Sequence, residues 1–196
     1  FMKILKPLLV LPALLPFQIV FAQNDSHLKL SDQNPAAGEK ITLTYDPAGT
    51  VTEGKKDIAA AVYYLDNKNY PAEEIDLKSD GKFFKGDITV NPTAKAFFIR
   101  ISSGNDVDNN NDKGYVYLVY SGKQPVEGAY ASEAFFYSGG AGAYFAKIKP
   151  DLGKAADLYK KEFALNPKSK KEYETGYYYL IARIPEYKAD VNEKIN

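Results

Sequence analysis

Alternating apolar and polar residues mark residues 27–122 as a series of short β-strands. In the segment KITLTY, Ile41, Leu43 and Tyr45 alternate with threonines. A period of two with one apolar face is typical of a strand that is buried on one side. The segment DIAAAVYYLDN is apolar almost throughout and predicts a second strand.

A β-hairpin is predicted where the segment EEIDLKSDGKFFKGDITV changes direction. Ile75 and Leu77 belong to its first strand, and Phe83 opens its second. Asp80-Gly81 lies between them, and Asp-Gly supplies the positive φ angles that a tight hairpin turn needs. The segments AKAFFIRISS and GYVYLVYSGK predict two more strands.

Six or so short strands separated by turn residues indicate an all-β domain. Prolines lie between the segments, where the missing N–H donor disturbs no strand pairing. We therefore predict an antiparallel β-sandwich of immunoglobulin-like type over residues 23–126.

The pattern changes after Gly128, and residues 127–196 predict an α-helical extension. Apolar residues of DLGKAADLYKKEFALNP recur near helical spacing, and Asp151 is placed to cap the start of that helix. Asn166 and Pro167 are a good start signal for the next helix.

The segment KAADLYKKEFALNPKS is similar to the second helix of a tetratricopeptide (TPR) repeat. Glu162 departs from that pattern, since a small residue is usual at its position. The residues that fit the pattern are Ala155, Leu158, Tyr159, Phe163, Leu165 and Pro167. A single copy predicts either a small helical cap on the sandwich or part of a longer array, because stacked repeats need about three units to bury a continuous core.

Residues 1–22 predict a secretory signal peptide. Lys3 and Lys6 form a basic start, an apolar run follows, and Val20 and Ala22 precede a cut before Gln23. We therefore expect a periplasmic or secreted protein that is not held in a membrane after cleavage. Phe1 precedes the first Met, so we also expect the chain to be part of a longer protein.

Charge and cysteine content narrow the function classes. The chain has 25 basic and 25 acidic residues, and without Lys3 and Lys6 it keeps 23 basic residues. With no basic stripe, a nucleic-acid partner is not expected. The chain has no cysteine, so neither disulfides nor thiol chemistry is available to it. No cofactor is expected.

The acidic run DVDNNND is the one candidate metal site. Asp106, Asp108, Asn110 and Asp112 place oxygen ligands at alternate positions, as calcium loops do. An EF-hand loop also needs a glycine and a glutamate at fixed later positions. Neither a loop that begins at Asp106 nor one that begins at Asp108 has them. We therefore expect the stretch from Asp106 to Gly114 to be the hairpin loop that joins the last two strands, and no metal to bind.

Candidate catalytic residues are few, and the chain is not expected to be an enzyme. His27 is the only histidine, so a Ser-His-Asp triad would have to use it. Glu73, Glu74 and Asp76 are candidates for the acid and base of a hydrolase. They alternate with apolar residues, which is typical of a solvated strand face.

The 16 tyrosines suggest an alternative function as a glycan- or peptide-binding surface. Tyr177, Tyr178 and Tyr179 occupy one turn of a predicted helix, so they cannot all face one core. A tyrosine buries its ring and keeps a hydroxyl for a partner. Core and interface packing is the competing interpretation, because aromatic residues also favour strands.

Several segments together resemble the N-terminal region of exported TlpA-like thiol-disulfide oxidoreductases. They are the Asp80-Gly81 turn before an aromatic residue, the run DNNNDKGY, the passage GKQPVEGA and the segment EFALNPKS. The resemblance implies an immunoglobulin-like sandwich and helices ahead of a thioredoxin domain with a Cys-x-x-Cys pair. This chain has no such pair. The resemblance thus implies a noncatalytic accessory module whose partner is another protein or a downstream thioredoxin-like domain.

Overall fold

The computed structural model of the protein describes residues 26–66 and 69–187, together with Val191. The predicted signal peptide lies outside the described residues. In the described chain, eleven β-strands precede four α-helices. The strands are β1 (Leu28–Leu30), β2 (Lys40–Tyr45), β3 (Ala59–Leu65), β4 (Ala72–Ile75), β5 (Lys78–Asp80), β6 (Phe83–Thr89), β7 (Ala96–Ser103), β8 (Asp106–Asp108), β9 (Val116–Leu118), β10 (Tyr120–Ser121) and β11 (Gln124–Pro125). The helices are α1 (Ala129–Tyr137), α2 (Ala141–Ala146), α3 (Leu152–Leu165) and α4 (Lys170–Ile181).

The first sheet has the strand order β1-β2-β6-β5, and each neighbouring pair is antiparallel. Its strand β2 coincides with the segment KITLTY, and Ile41, Leu43 and Tyr45 are all buried. The predicted half-buried strand is therefore confirmed.

The second sheet has the order β4-β3-β7-β8, and β9 also pairs with β7. Strands β8 and β9 follow one another along the same edge of β7, since Asp108 pairs with Ile101 and Val116 pairs with Phe98. Residues 109–114 leave the sheet edge between these two strands, and the Tyr115 carbonyl again accepts a hydrogen bond from the Ile99 N–H of β7 at 2.9 Å.

The predicted hairpin loop from Asp106 to Gly114 is therefore wrong. The turn lies earlier, where Ser103 pairs with Asp106 and Gly104 has a φ of 56°. Asp106–Asp108 of the acidic run form β8, and the rest of the run lies in the loop between β8 and β9, where three consecutive residues have positive φ angles: Asn110, Asn111 and Asp112.

The predicted hairpin around Asp80-Gly81 is confirmed for β5 and β6 only. Asp80 pairs with Phe83, and Gly81 has a φ of 63°. Ile75 instead ends β4, which pairs with β3 in the other sheet. The chain crosses between the sheets over Gly86, where an added Cβ would lie 2.6 Å from Ile75 Cγ2. Glycine at this position leaves room for the crossing chain.

The two sheets face each other across one hydrophobic core, which gives a sandwich-like architecture. Leu28, Ile41 and Leu43 come from the first sheet, and Val62 and Phe97 come from the second. All five are nearly inaccessible to solvent. Burial of this apolar surface drives the sheets together.

The helices cover the outer face of the second sheet and form a second core there. Phe98 stacks on Tyr63 with ring centroids 4.9 Å apart, and Phe136 of α1 lies 4.9 Å from the Phe98 ring. Both faces of β3 and β7 are therefore covered. This explains why their sequences are apolar almost throughout instead of alternating.

The helix boundaries follow from local chemistry. Gly139 and Gly140 separate α1 from α2, and the side chain of Asp151 accepts a hydrogen bond from the Lys154 N–H at 2.9 Å, as predicted. Asn166 does not cap the next helix. Its Nδ2 donates to the buried Glu162 carboxylate at 2.8 Å, and a 3-10 turn from Pro167 to Ser169 precedes α4. None of the described helices is long and apolar enough to span a membrane.

Candidate functional site

The four calcium candidates do not converge on one point. Asp106 pairs with Lys55 at 3.6 Å, and Asn110 Nδ2 donates to the Gly114 carbonyl at 3.0 Å. Asp112 Oδ1 accepts from Asn109 Nδ2 at 3.0 Å. Within the described ranges, no group of three or more His, Asp or Glu side chains is placed to hold a metal ion.

Asp108 lies in a buried hydrogen-bond network at one end of the sandwich. Its Oδ2 accepts from the Tyr45 hydroxyl at 2.7 Å and from the Tyr115 hydroxyl at 2.6 Å. The Thr52 hydroxyl lies 2.7 Å from that of Tyr45. Burial is the main cause that raises the pKa of both tyrosines well above the usual range, and the Asp108 carboxylate adds to it. Both phenols therefore remain neutral donors. The network joins Tyr45 at the end of β2 to Asp108 at the end of β8 and to Tyr115 just before β9.

The predicted hydrolase residues do not face one another. Glu73 and Glu74 are exposed neighbours on β4, so their side chains project to opposite faces of the sheet. Asp76 is exposed and pairs with Lys78 at 3.5 Å. His27 makes no side-chain hydrogen bond with another residue of the described chain, so the structure assembles no triad around it.

A cleft between the helices and the end of β3 is rich in aromatic side chains. We call it the aromatic cleft, and it encloses about 180 Å³. Aromatic side chains from three helices and from the segment before β4 line it, together with two carboxylates. These residues are Asp66, Tyr70, Phe135, Tyr159, Glu172 and Tyr173.

Two aromatic side chains form the outer wall of the aromatic cleft. Tyr70 and Phe135 stack with ring centroids 5.6 Å apart and planes 16° apart, and each is 37% exposed. The Phe135 ring also packs against Gly140, where an added Cβ would lie 2.6 Å from it. Phe135 is thus fixed between α2 and Tyr70, and it in turn positions Tyr70.

The inner wall depends on two glycines. The Tyr173 hydroxyl would lie 2.3 Å from a Cβ at Gly128, and the Tyr159 hydroxyl would lie 3.0 Å from a Cβ at Gly176. Both tyrosines can approach the helix backbone because these positions have no side chain. Burial raises the pKa of each, so both hydroxyls stay protonated.

Glu162 fixes α1 relative to α3 beside the aromatic cleft. This carboxylate is fully buried, and it accepts hydrogen bonds from the N–H groups of Gly128 at 2.8 Å and Tyr130 at 3.2 Å. These are the unpaired donors at the start of α1. The residue that departs from the TPR pattern therefore serves as a cap for a neighbouring helix.

Of the hydroxyls that line the aromatic cleft, those on its two most buried hydroxyl-bearing residues have no partner among the described residues. Ser132 is 7% exposed and Tyr159 is 6% exposed. Neither hydroxyl makes a hydrogen bond to another residue of the described chain, and neither oxygen is sealed from solvent. Buried polar groups normally have partners. A ligand or water in the cleft is placed to provide one.

The sequence prediction missed most of this site. It singled out Tyr177 to Tyr179, of which Tyr179 is 74% exposed. One available signal was Gly176 in the middle of a predicted helix. Glycine disfavours helices, and within one it often marks a close approach of another group.

No family model matches this chain, and the search of curated proteins finds no match. Function is therefore inferred from the geometry of the aromatic cleft.

Proposed function

We propose that this protein is a noncatalytic binding module of an exported protein and that it recruits a protein partner through the aromatic cleft. The observation that carries the proposal is the pairing of exposed aromatic surface at Tyr70 with unpartnered, solvent-reachable hydroxyls on the buried residues Ser132 and Tyr159. Aromatic anchors beside convergent polar groups are typical of binding sites.

The chemistry of the cleft supports a noncatalytic role. Ser132 has no hydrogen bond to a general base in the described chain. The cleft tyrosines have raised pKa values, which disfavours their use as nucleophiles. Asp66 is engaged by the Thr93 hydroxyl at 2.8 Å. These groups are suited to hold a ligand in place.

We also propose that the sandwich is immunoglobulin-like. The order β1-β2-β6-β5 in one sheet and β4-β3-β7-β8 in the other supports this. It corresponds to the A-B-E-D and C-F-G sheets of an immunoglobulin constant domain with one added strand beside C. From the apolar pattern of the segment KAADLYKKEFALNPKS we propose that α3 and α4 are TPR-like, with Glu162 in place of the usual small residue.

Photo-crosslinking in the natural host tests the binding function. Tyr70 is replaced by p-benzoylphenylalanine, and the matched control carries the same group at Tyr144, which is 81% exposed outside the cleft. We expect a discrete protein adduct from position 70 that is absent from position 144. Equal adducts from both positions, or none from position 70, would refute a protein-binding cleft.

We further propose that the module precedes a thioredoxin-like domain, as the TlpA-like resemblance implies. In that arrangement the thiol chemistry would belong to the other domain, since this chain has no cysteine. The genomic sequence beyond Asn196 tests this. An in-frame Cys-x-x-Cys motif is expected, and a stop codon close to Asn196 would rule the placement out.

A further inference from the structure

We propose that the aromatic cleft binds an arginine side chain of its partner. The inference rests on the proposed function, because it names the partner group that the cleft receives. Three independent features support it: the charge of the lining, the unpartnered hydroxyls, and the size of the space.

The charge of the lining favours a cation. Asp66 and Glu172 line the cleft, and none of the described lining residues is basic. Thr93 bonds to Oδ2 of Asp66, so Oδ1 remains available as an acceptor. Tyr70 and Phe135 add aromatic ring surface, which attracts a guanidinium through the negative ring face. A neutral sugar would use the rings but would gain less from two carboxylates.

The two unpartnered hydroxyls match the donors of a guanidinium. Ser132 and Tyr159 are each more than nine-tenths buried, and each oxygen can accept a hydrogen bond. A guanidinium has five N–H donors in a planar fork. It can donate to these hydroxyls and to Glu172 while its flat face rests on an aromatic ring. An ammonium group is compact and more strongly hydrated, so it loses more on entering such a site.

The size of the cleft limits the ligand to a small group. A space of about 180 Å³ is below the roughly 300–1,000 Å³ of clefts that enclose drug-sized ligands. It suits the end of one long side chain. The space is too small for more than one side chain, so the remainder of a peptide would lie outside the cleft.

A titration with short peptides tests this. The probes are capped Gly-Arg-Gly, Gly-Lys-Gly and Gly-citrulline-Gly, added to the full chain labelled with ¹³C in its tyrosine rings. Citrulline has the shape of arginine without its charge. We expect saturable shifts of the Tyr70, Tyr159 and Tyr173 signals with the arginine peptide. Binding of the citrulline peptide should be weaker by at least about tenfold.

A matched pair of variants identifies the site. Glu172→Gln removes one exposed carboxylate of the cleft and should weaken arginine binding roughly five-fold. Glu174→Gln lies on the same helix outside the cleft lining and should leave the affinity unchanged. Both changes are at the surface, so thermal unfolding should confirm that both variants fold.

The possible outcomes separate this inference from the proposed function. Equal binding of the arginine and citrulline peptides, or stronger binding of the lysine peptide, would overturn the arginine assignment. So would saturable shifts that spare the cleft tyrosines. If position 70 still crosslinks to a protein, the binding function stands with a different ligand group. If no adduct forms and no peptide binds, both proposals fall.

Discussion

At the scale of single residues, Asp108 has the clearest structural role. The sequence prediction treated it as a potential metal ligand because carboxylates recur beside it. Its partner Tyr45 lies 63 positions away in the chain, so no local pattern could indicate the contact. The buried carboxylate instead accepts hydrogen bonds from two tyrosine hydroxyls and from the Asn110 N–H, the last at 3.0 Å. These bonds hold the end of β2 to the loop between β8 and β9.

Removing one hydroxyl from this network tests its contribution to stability. Tyr115→Phe should lower the free energy of unfolding by about 2 kcal/mol, because its hydroxyl donates to a buried charged acceptor. The same change should cost little once Asp108→Ala has been made. Urea unfolding measures both values.

Tyr117→Phe is the control for the Tyr115 change. Its hydroxyl contacts the Leu28 carbonyl only at 3.4 Å, so the loss should stay below about 1 kcal/mol. Equal losses at the two tyrosines, or additivity with Asp108→Ala, would show that the network does not stabilise the fold.

At the scale of elements, the sequence patterns predicted strands better than sheets. The alternation of apolar residues located β2 correctly, because one face of that strand is buried and the other is not. Ile75 and Leu77 were assigned to one strand, since both are apolar. The crossing between sheets there depends on Gly86, which is distant in the pattern and close only in space. Likewise, the turn residues of the acidic run did not distinguish a hairpin turn from a loop between β8 and β9, two strands on the same edge of β7.

The junction from β11 to α1 depends on Gly128, which has a φ of 87°. Gly128→Ala should lower the free energy of unfolding by about 3 kcal/mol, because it adds backbone strain and a collision with the Tyr173 hydroxyl. Gly104→Ala is the control, since Gly104 has a φ of 56° and open space around it. It should cost only about 1–2 kcal/mol.

Chemical denaturation gives both glycine values. Adding Tyr173→Phe to Gly128→Ala should recover part of the loss, because the nearest ring atom would then be Cζ at 3.0 Å. No recovery would mean that backbone strain alone explains the effect.

The α1–α3 interface should make stability depend on pH. Burial raises the pKa of Glu133, although Lys154 at 3.9 Å and Lys161 oppose the shift. The folded protein therefore takes up this proton at a higher pH than the unfolded chain. This contribution to stability is complete below the unfolded pKa of about 4.3 and is lost as pH rises through the raised folded pKa.

Comparison with Glu133→Gln isolates the pH effect, since glutamine does not titrate. The free energy of unfolding of the wild type minus that of the variant should fall as the pH rises from about 4 through the raised pKa of Glu133 in the folded protein. Denaturant unfolding at several pH values measures it. A difference that grows with pH would mean that the ion pair with Lys154 outweighs the cost of burial.

At the scale of the whole molecule, the sandwich and the helices share the second sheet and should unfold together. Phe98 contacts Tyr63 of the same sheet and Phe136 of α1. Phe98→Ala should lower the free energy of unfolding by about 3–5 kcal/mol, because it leaves a cavity beneath the helices. Calorimetry should still record one transition. Two separate transitions would show that the helices unfold independently of the sandwich.

The broad order of the molecule, antiparallel sheets followed by helices, could be predicted from periodicity. The aromatic cleft could not, because Tyr70, Phe135, Tyr159 and Glu172 come from four separate segments. Within its own segment, each of them is what core packing or a solvated surface would also produce. Only the packing of α1 and α4 beside the end of β3 brings them together.

Successive side chains of β7 point to opposite faces of the sheet, and this has a consequence for how related sequences can diverge. Phe97 and Phe98 are adjacent in the chain, but Phe97 packs in the sandwich core and Phe98 packs beneath the helices. A change at Phe98 can be compensated from Phe136, and a change at Phe97 from Tyr64 or Tyr117. Neighbouring positions of this strand should therefore vary independently, while each covaries with a distant partner on its own side of the sheet.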